Sequence, residues 1–107
     1  MDTSILTYTH SKAFDLHKPY FDRLNKNFSD ITELIVLSDK PIDSSIKAKN
    51  IIYDDKKPHY EQMIMGLEAV TNNFVIYSQE DYILFDKVNV EKIKYFIEVL
   101  KSNPDLM

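Results

Sequence analysis

Apolar residues along the chain fall into two rhythms: short continuous runs, and longer stretches with helical spacing. Ile5-Leu6-Thr7-Tyr8, after a short polar leader, reads as a first strand. Between Ser11 and Phe28, Pro19 suits the first turn of a helix, where its missing N–H costs nothing. Tyr20, Phe21, Leu24 and Phe28 then recur at helical spacing as a core-facing stripe. Leu34-Ile35-Val36-Leu37 is an uninterrupted apolar run, as expected of a strand covered on both faces, and Ser38-Asp39-Lys40-Pro41 stops it. Residues 42–49 read as a polar loop with room for one helical turn. Ile51-Ile52-Tyr53 gives a third strand, ended by Asp54-Asp55-Lys56-Lys57-Pro58. Met63, Ile64, Leu67 and Val70 form the inner face of a helix over 60–71, which Asn72-Asn73 breaks. A buried strand follows from Phe74, ending at Gln79-Glu80-Asp81, with a second apolar run over 82–85. A last helix over 90–101 turns Ile93, Phe96, Ile97 and Leu100 inward.

The order β-α-β-β-α-β-α predicts one α/β domain over 1–107. It is Rossmann-like, a three-layer arrangement of about four parallel strands with flanking helices. Parallel strands put all their C-terminal ends on one edge. That edge would gather Thr9, His10, Asp39, Asp54, Asp55, Glu80 and Asp81, although the sequence scatters them. The adjacent acids Glu80 and Asp81 are the sharpest feature. At a buried strand end they must be paired, protonated or bound to a cation; a solvated acidic turn is the other reading.

Composition narrows the chemistry. There are 107 residues, 44% hydrophobic and 28% charged, an ordinary globular balance. The net charge of −4 and the dispersed lysines argue against a nucleic-acid partner. With no cysteine, disulfides, thiolate metal sites and cysteine nucleophiles are excluded. That fits a reducing, cytoplasmic setting, as does the lack of a signal peptide. No apolar run approaches the roughly 20 residues of a membrane helix. Gly66 is the one glycine, so neither the dinucleotide G-x-G-x-x-G loop nor the Walker loop is present. His10, His17 and His59 form no i, i+4 pair, which disfavours a histidine metal site. Asp54-Asp55 with Lys56-Lys57 also reads as a solvated turn, and His17 as a surface or helix-start residue.

The segment Tyr77-Ser78-Gln79-Glu80-Asp81-Tyr82-Ile83-Leu84, between an apolar strand and a helix, resembles the metal-binding DxD segment of GT-A glycosyltransferases. Leu6-Thr7-Tyr8-Thr9-His10-Ser11 is similar to the first strand and loop of that fold. Leu37-Ser38-Asp39 resembles its second strand ending in an acid. His59 to Val70 resembles the helix before the DxD strand. The likeness covers nearly the whole chain, and the order of short motifs carries it. It implies that Thr9 and His10 lie against the nucleotide, and that Asp39 reaches the base or ribose. Asp54 would hydrogen-bond the base. Glu80 and Asp81 would flank the ribose and the metal, Mn²⁺ or Mg²⁺, with Asp81 the leading metal contact. The implied ligand is a nucleotide-diphosphate sugar, a UDP-sugar by preference. Gln79 stands where the motif has its first aspartate and offers an amide oxygen without charge. GT-A domains also have a second half with the acceptor site and catalytic base. The likeness therefore makes this chain the N-terminal, donor-binding part of a longer enzyme, or a natural half-domain. The alternative is a non-catalytic α/β module that binds a nucleotide or a protein. A receiver-type domain would carry its acid pair after the first strand, where Thr9-His10 stands.

Overall fold

The computed structural model describes residues 3–28, 31–81 and 87–103. The α/β reading holds: four strands, β1 (Thr3–Tyr8), β2 (Glu33–Ser38), β3 (Lys49–Ile52) and β4 (Phe74–Gln79), form one sheet. All three pairings are parallel and the order is β3-β2-β1-β4. Helices α1 (His17–Asn27), α2 (His59–Glu68) and α3 (Val90–Ser102) flank it, and a short 3₁₀ helix, Ser11–Leu16, leads into α1. The architecture is Rossmann-like. The apolar run 82–85 and the tail from Pro104 lie outside the described residues.

Strand alternation divides the core into two layers. Ile5 and Val36 point to one face, where the predicted stripe Tyr20, Phe21, Leu24 and Phe28 of α1 and its end packs, with Val90 and Ile93 of α3 beside it. All four stripe residues are buried, and each contributes about 1.5–3 kcal/mol of burial. Leu6, Ile35 and Leu37 point to the other face, under Met63 of α2 and Ala69 and Val70 just after it. The centre of β1 and β2 is covered on both sides, so these strands are continuous apolar runs.

Three expectations are corrected. The buried positions within α2 are Gln62 and Gly66, whereas Ile64 and Leu67 are exposed. Gly66 explains the rotation. A Cβ there would stand 3.1 Å from Leu37 Cδ2 and 3.1 Å from Leu6 Cδ1, so its absence lets the helix settle onto the sheet. Gln62 tolerates burial because Tyr8 Oη donates to its Oε1 (2.6 Å), while its Nε2 donates to the carbonyls of Lys57 (3.0 Å) and Asp54 (3.3 Å). Second, Phe96 of α3 is exposed rather than inward. Third, β4 is an edge strand with Val75 and Tyr77 exposed, not a strand buried on both faces, because no helix among the described residues covers its α2 side. Residues 42–48 form the expected loop, with turns and no helical turn. Asn50 stitches that loop down instead: its Oδ1 accepts from Ile42 N, and its Nδ2 donates to Val36 O and Ser38 Oγ.

The edge opposite the candidate site is tied by Glu33 at the start of β2. Its carboxylate accepts from Ser4 Oγ (2.6 Å), Thr71 N (2.9 Å) and Thr71 Oγ1 (2.8 Å), with Lys49 Nζ at 3.5 Å. These hydrogen bonds, Ser4 first, hold its pKa near 2. The stabilisation is thus complete above the ordinary value of 4.5 and disappears as pH falls toward 2. Glu33→Gln should cost about 1–2 kcal/mol at neutral pH and flatten the acid limb of stability between those values; urea titrations across that window measure both. Gly66→Val should lose about 1–3 kcal/mol by overpacking against Leu6 and Leu37, seen as a lower urea midpoint with an unchanged slope.

Candidate functional site

β1 is the central strand, so its C-terminal end organises the edge. The register sets Tyr8 opposite Leu37 on one side and Gln79 on the other. Asp39 and the Glu80-Asp81 pair therefore flank the end of β1. The chain runs from β1 outward to β2 and β3, whereas β4 lies on the other side of β1. The sheet thus has its topological switch point between β1 and β4, the place where open α/β sheets take ligands.

Thr9 is locked. Its N–H donates to Leu37 O (2.9 Å), its carbonyl accepts from Tyr53 Oη (2.8 Å), and its Oγ1 lies 3.0 Å from His17 Nε2. It is 1% exposed, so it shapes the edge while its neighbour His10 carries the accessible surface. Tyr53 is in turn stacked on Tyr8 with ring centroids 5.2 Å apart, and His59 packs edge-on against Tyr8. Burial pushes the Tyr53 phenol upward, so it stays a neutral donor.

On the β2 side, His10, Asp39 and Asp55 converge. Asp39 Oδ1 accepts from Ser11 N and its Oδ2 from Ser11 Oγ, both at 2.7 Å. Burial works to raise the Asp39 pKa, but the two Ser11 bonds and His10 outweigh it and hold the carboxyl below its ordinary range. His10 Nε2 lies 3.0 Å from Asp55 Oδ2 and 3.3 Å from Asp39 Oδ2. Asp54 turns away: its Oδ1 accepts from Lys56 N, making the turn that ends the β3 segment.

Among the described residues, His10, Asp39 and Asp55 form a group whose donor atoms lie close enough to share one cation. The tautomer argues for a hydrogen-bonded clasp instead. His10 Nδ1 accepts from Lys12 N at 3.1 Å, so the proton of the neutral ring stands on Nε2, directed at the carboxylates. A metal on Nε2 would need that position bare, and metal-bound histidines normally donate from the other nitrogen. A cation could enter only if the Lys12 bond broke.

On the β4 side, Glu80 is partly buried and Asp81 exposed. A polar chain crosses three elements before Glu80: Thr7 Oγ1 lies 2.9 Å from Tyr20 Oη, which donates to the half-buried Ser78 Oγ at 3.0 Å. His17 lies 3.0 Å from Thr9 Oγ1 through its Nε2; it starts α1, as one of its two readings had it, but is buried and not a surface residue. Burial lowers the His17 pKa, and the charges of Glu80 and Asp15 only partly offset this. Burial also raises Tyr20, whose bonds to Ser78 and Thr7 act the other way. Gln79 Nε2 donates to Tyr77 Oη, which leaves its amide oxygen outside that bond.

The structure brings Thr9, His10 and Asp39 together at one edge, with Asp55 rather than Asp54 completing the cluster. Ser11, His17 and Tyr20 join from the segment after β1. Only Ser11 carried a local signal, as the residue following the strand-end histidine. A cavity of about 790 Å³ lies between α1 and the loop 43–47, with His17, Phe21, Leu34 and Ile46 in its wall. Comparison of the chain with family models, curated proteins and solved structures finds no match to any of them.

Because His17 is held neutral, its contribution is complete above about pH 6.5 and declines as pH falls below that value, where the unfolded chain gains a proton first. His17→Gln should flatten stability over that range while keeping a bond to Thr9. Thermal denaturation between pH 7.5 and 5 checks it.

Proposed function

We propose that the chain is a donor-binding unit of glycosyltransferase type, taking a nucleoside diphosphate sugar at the β1–β4 switch point. The observation that carries this reading is the placement of Gln79-Glu80-Asp81 beside the end of β1, with the Asp39 carboxylate on its other side. A cation held by Asp81, with Glu80 beside it, would neutralise the diphosphate and favour its departure. Asp39, His10 and Asp55 would offer acceptors and a donor to ribose hydroxyls or a base edge. No residue is assigned as the base that activates an acceptor.

A second reading, a non-catalytic α/β module, draws on one observation. The polar groups of the β2 side already satisfy one another, Asp39 through Ser11 and His10 through Asp55. Structural clasps look the same.

Thermal-shift titrations with UDP, GDP and CDP, each with and without Mn²⁺, separate the two. A ligand at 100 times its Kd stabilises by about 2.7 kcal/mol. The donor reading expects a shift with UDP above all, dependent on Mn²⁺ and lost in Asp81→Asn. A cooperatively folded protein that none of the three moves contradicts it.

A further inference from the structure

We propose that the outer edge of β4 docks a second copy of this chain, the two β4 strands running antiparallel about a twofold axis. The inference does not rest on the donor reading, although both draw on Glu80 and Asp81. Among the described residues, that edge has no strand partner. Natural edge strands are guarded by charges, prolines or bulges. β4, Phe-Val-Ile-Tyr-Ser-Gln, has none: it carries no charge or proline, and its six residues pair in step with Thr3–Tyr8 without a bulge. The same strand is bare on the α2 side. Val75 and Tyr77 pair with Ser4 and Leu6 in register, share the face of α2, and are 37% and 40% exposed. On α2, Ile64 and Leu67, three residues apart on one flank, are each 48% exposed. An unguarded edge and an uncovered apolar column thus coincide on one strand.

Charge selects the partner and its direction. Glu80 and Asp81 follow the C-terminal end of β4. At its N-terminal end, Lys94 and Lys101 line a groove with residues 71–74, and Lys101 Nζ lies 5.9 Å from the Phe74 ring centroid. Their pairings with Glu91 and Glu98 are exposed, at 3.5 and 3.6 Å, and hold them weakly. An antiparallel second copy brings the acids of each chain to the lysines of the other; a parallel one would stack acid on acid. With Ile76 opposite Ile76, Val75 of each copy meets Tyr77 of the other, a favourable β-branched–aromatic pair.

Sedimentation velocity over a concentration series tests this. The chain should reach twice its 12.6 kDa mass, and salt should weaken the association. Val75→Lys places like charges beside the axis and should weaken it more than about tenfold, with an unchanged circular dichroism spectrum because Val75 is already exposed. Lys94→Glu with Lys101→Glu should weaken it too, and adding Glu80→Lys and Asp81→Lys should restore it, a rescue that mere loss of folding would not give. A chain that stays monomeric at millimolar concentration overturns the proposal. So does a dimer indifferent to Val75→Lys and to the charge swap.

Discussion

Everything at the candidate site depends on β1 being paired on both sides. Its backbone is satisfied by β2 and β4, its side chains are covered by α1 on one face and α2 on the other, and it is therefore, like β2, held on every side. The loop that leaves it inherits that rigidity. Thr9 spends its amide, carbonyl and hydroxyl on β2, Tyr53 and His17, so His10 and Ser11 emerge in fixed directions. A central strand that fixes the geometry of its C-terminal loop is the arrangement a ligand site requires, since a site held loosely loses both affinity and selectivity.

Around that strand the edge divides into two unlike halves. On the β2 side the polar groups are mutually satisfied and Asp39 is held ionised by Ser11. On the β4 side a hydroxyl chain, Thr7–Tyr20–Ser78, precedes two acids, of which Asp81 is exposed. The first half is thus closed on itself, and the second presents negative charge to the edge.

The strands, the α1 stripe and the parallel topology were legible because burial on two faces writes itself as uninterrupted apolar runs and burial on one as helical periodicity. The inner face of α2 was not legible. Its buried positions are a glycine and a glutamine, which hydrophobic spacing does not favour, while Ile64 and Leu67 remain outside. At the site, Asp39 could be read from its place after an apolar strand. Which of Asp54 and Asp55 turns inward depends on the backbone bend after Tyr53, and periodicity says nothing about bends. His17 and Tyr20 look like ordinary helix residues until the sheet register brings Thr7, Thr9 and Ser78 against them.

Whether the acids at the end of β4 form the cation-binding half of a nucleotide site is the central question, and paramagnetic broadening by Mn²⁺ in ¹⁵N-resolved spectra of the chain with UDP addresses it directly. The account predicts that amides of Gln79, Glu80 and Asp81 broaden first, with nucleotide-dependent shifts at His10, Ser11 and Asp39. Broadening centred on His10 and Asp55, or none at any of these residues, would contradict it.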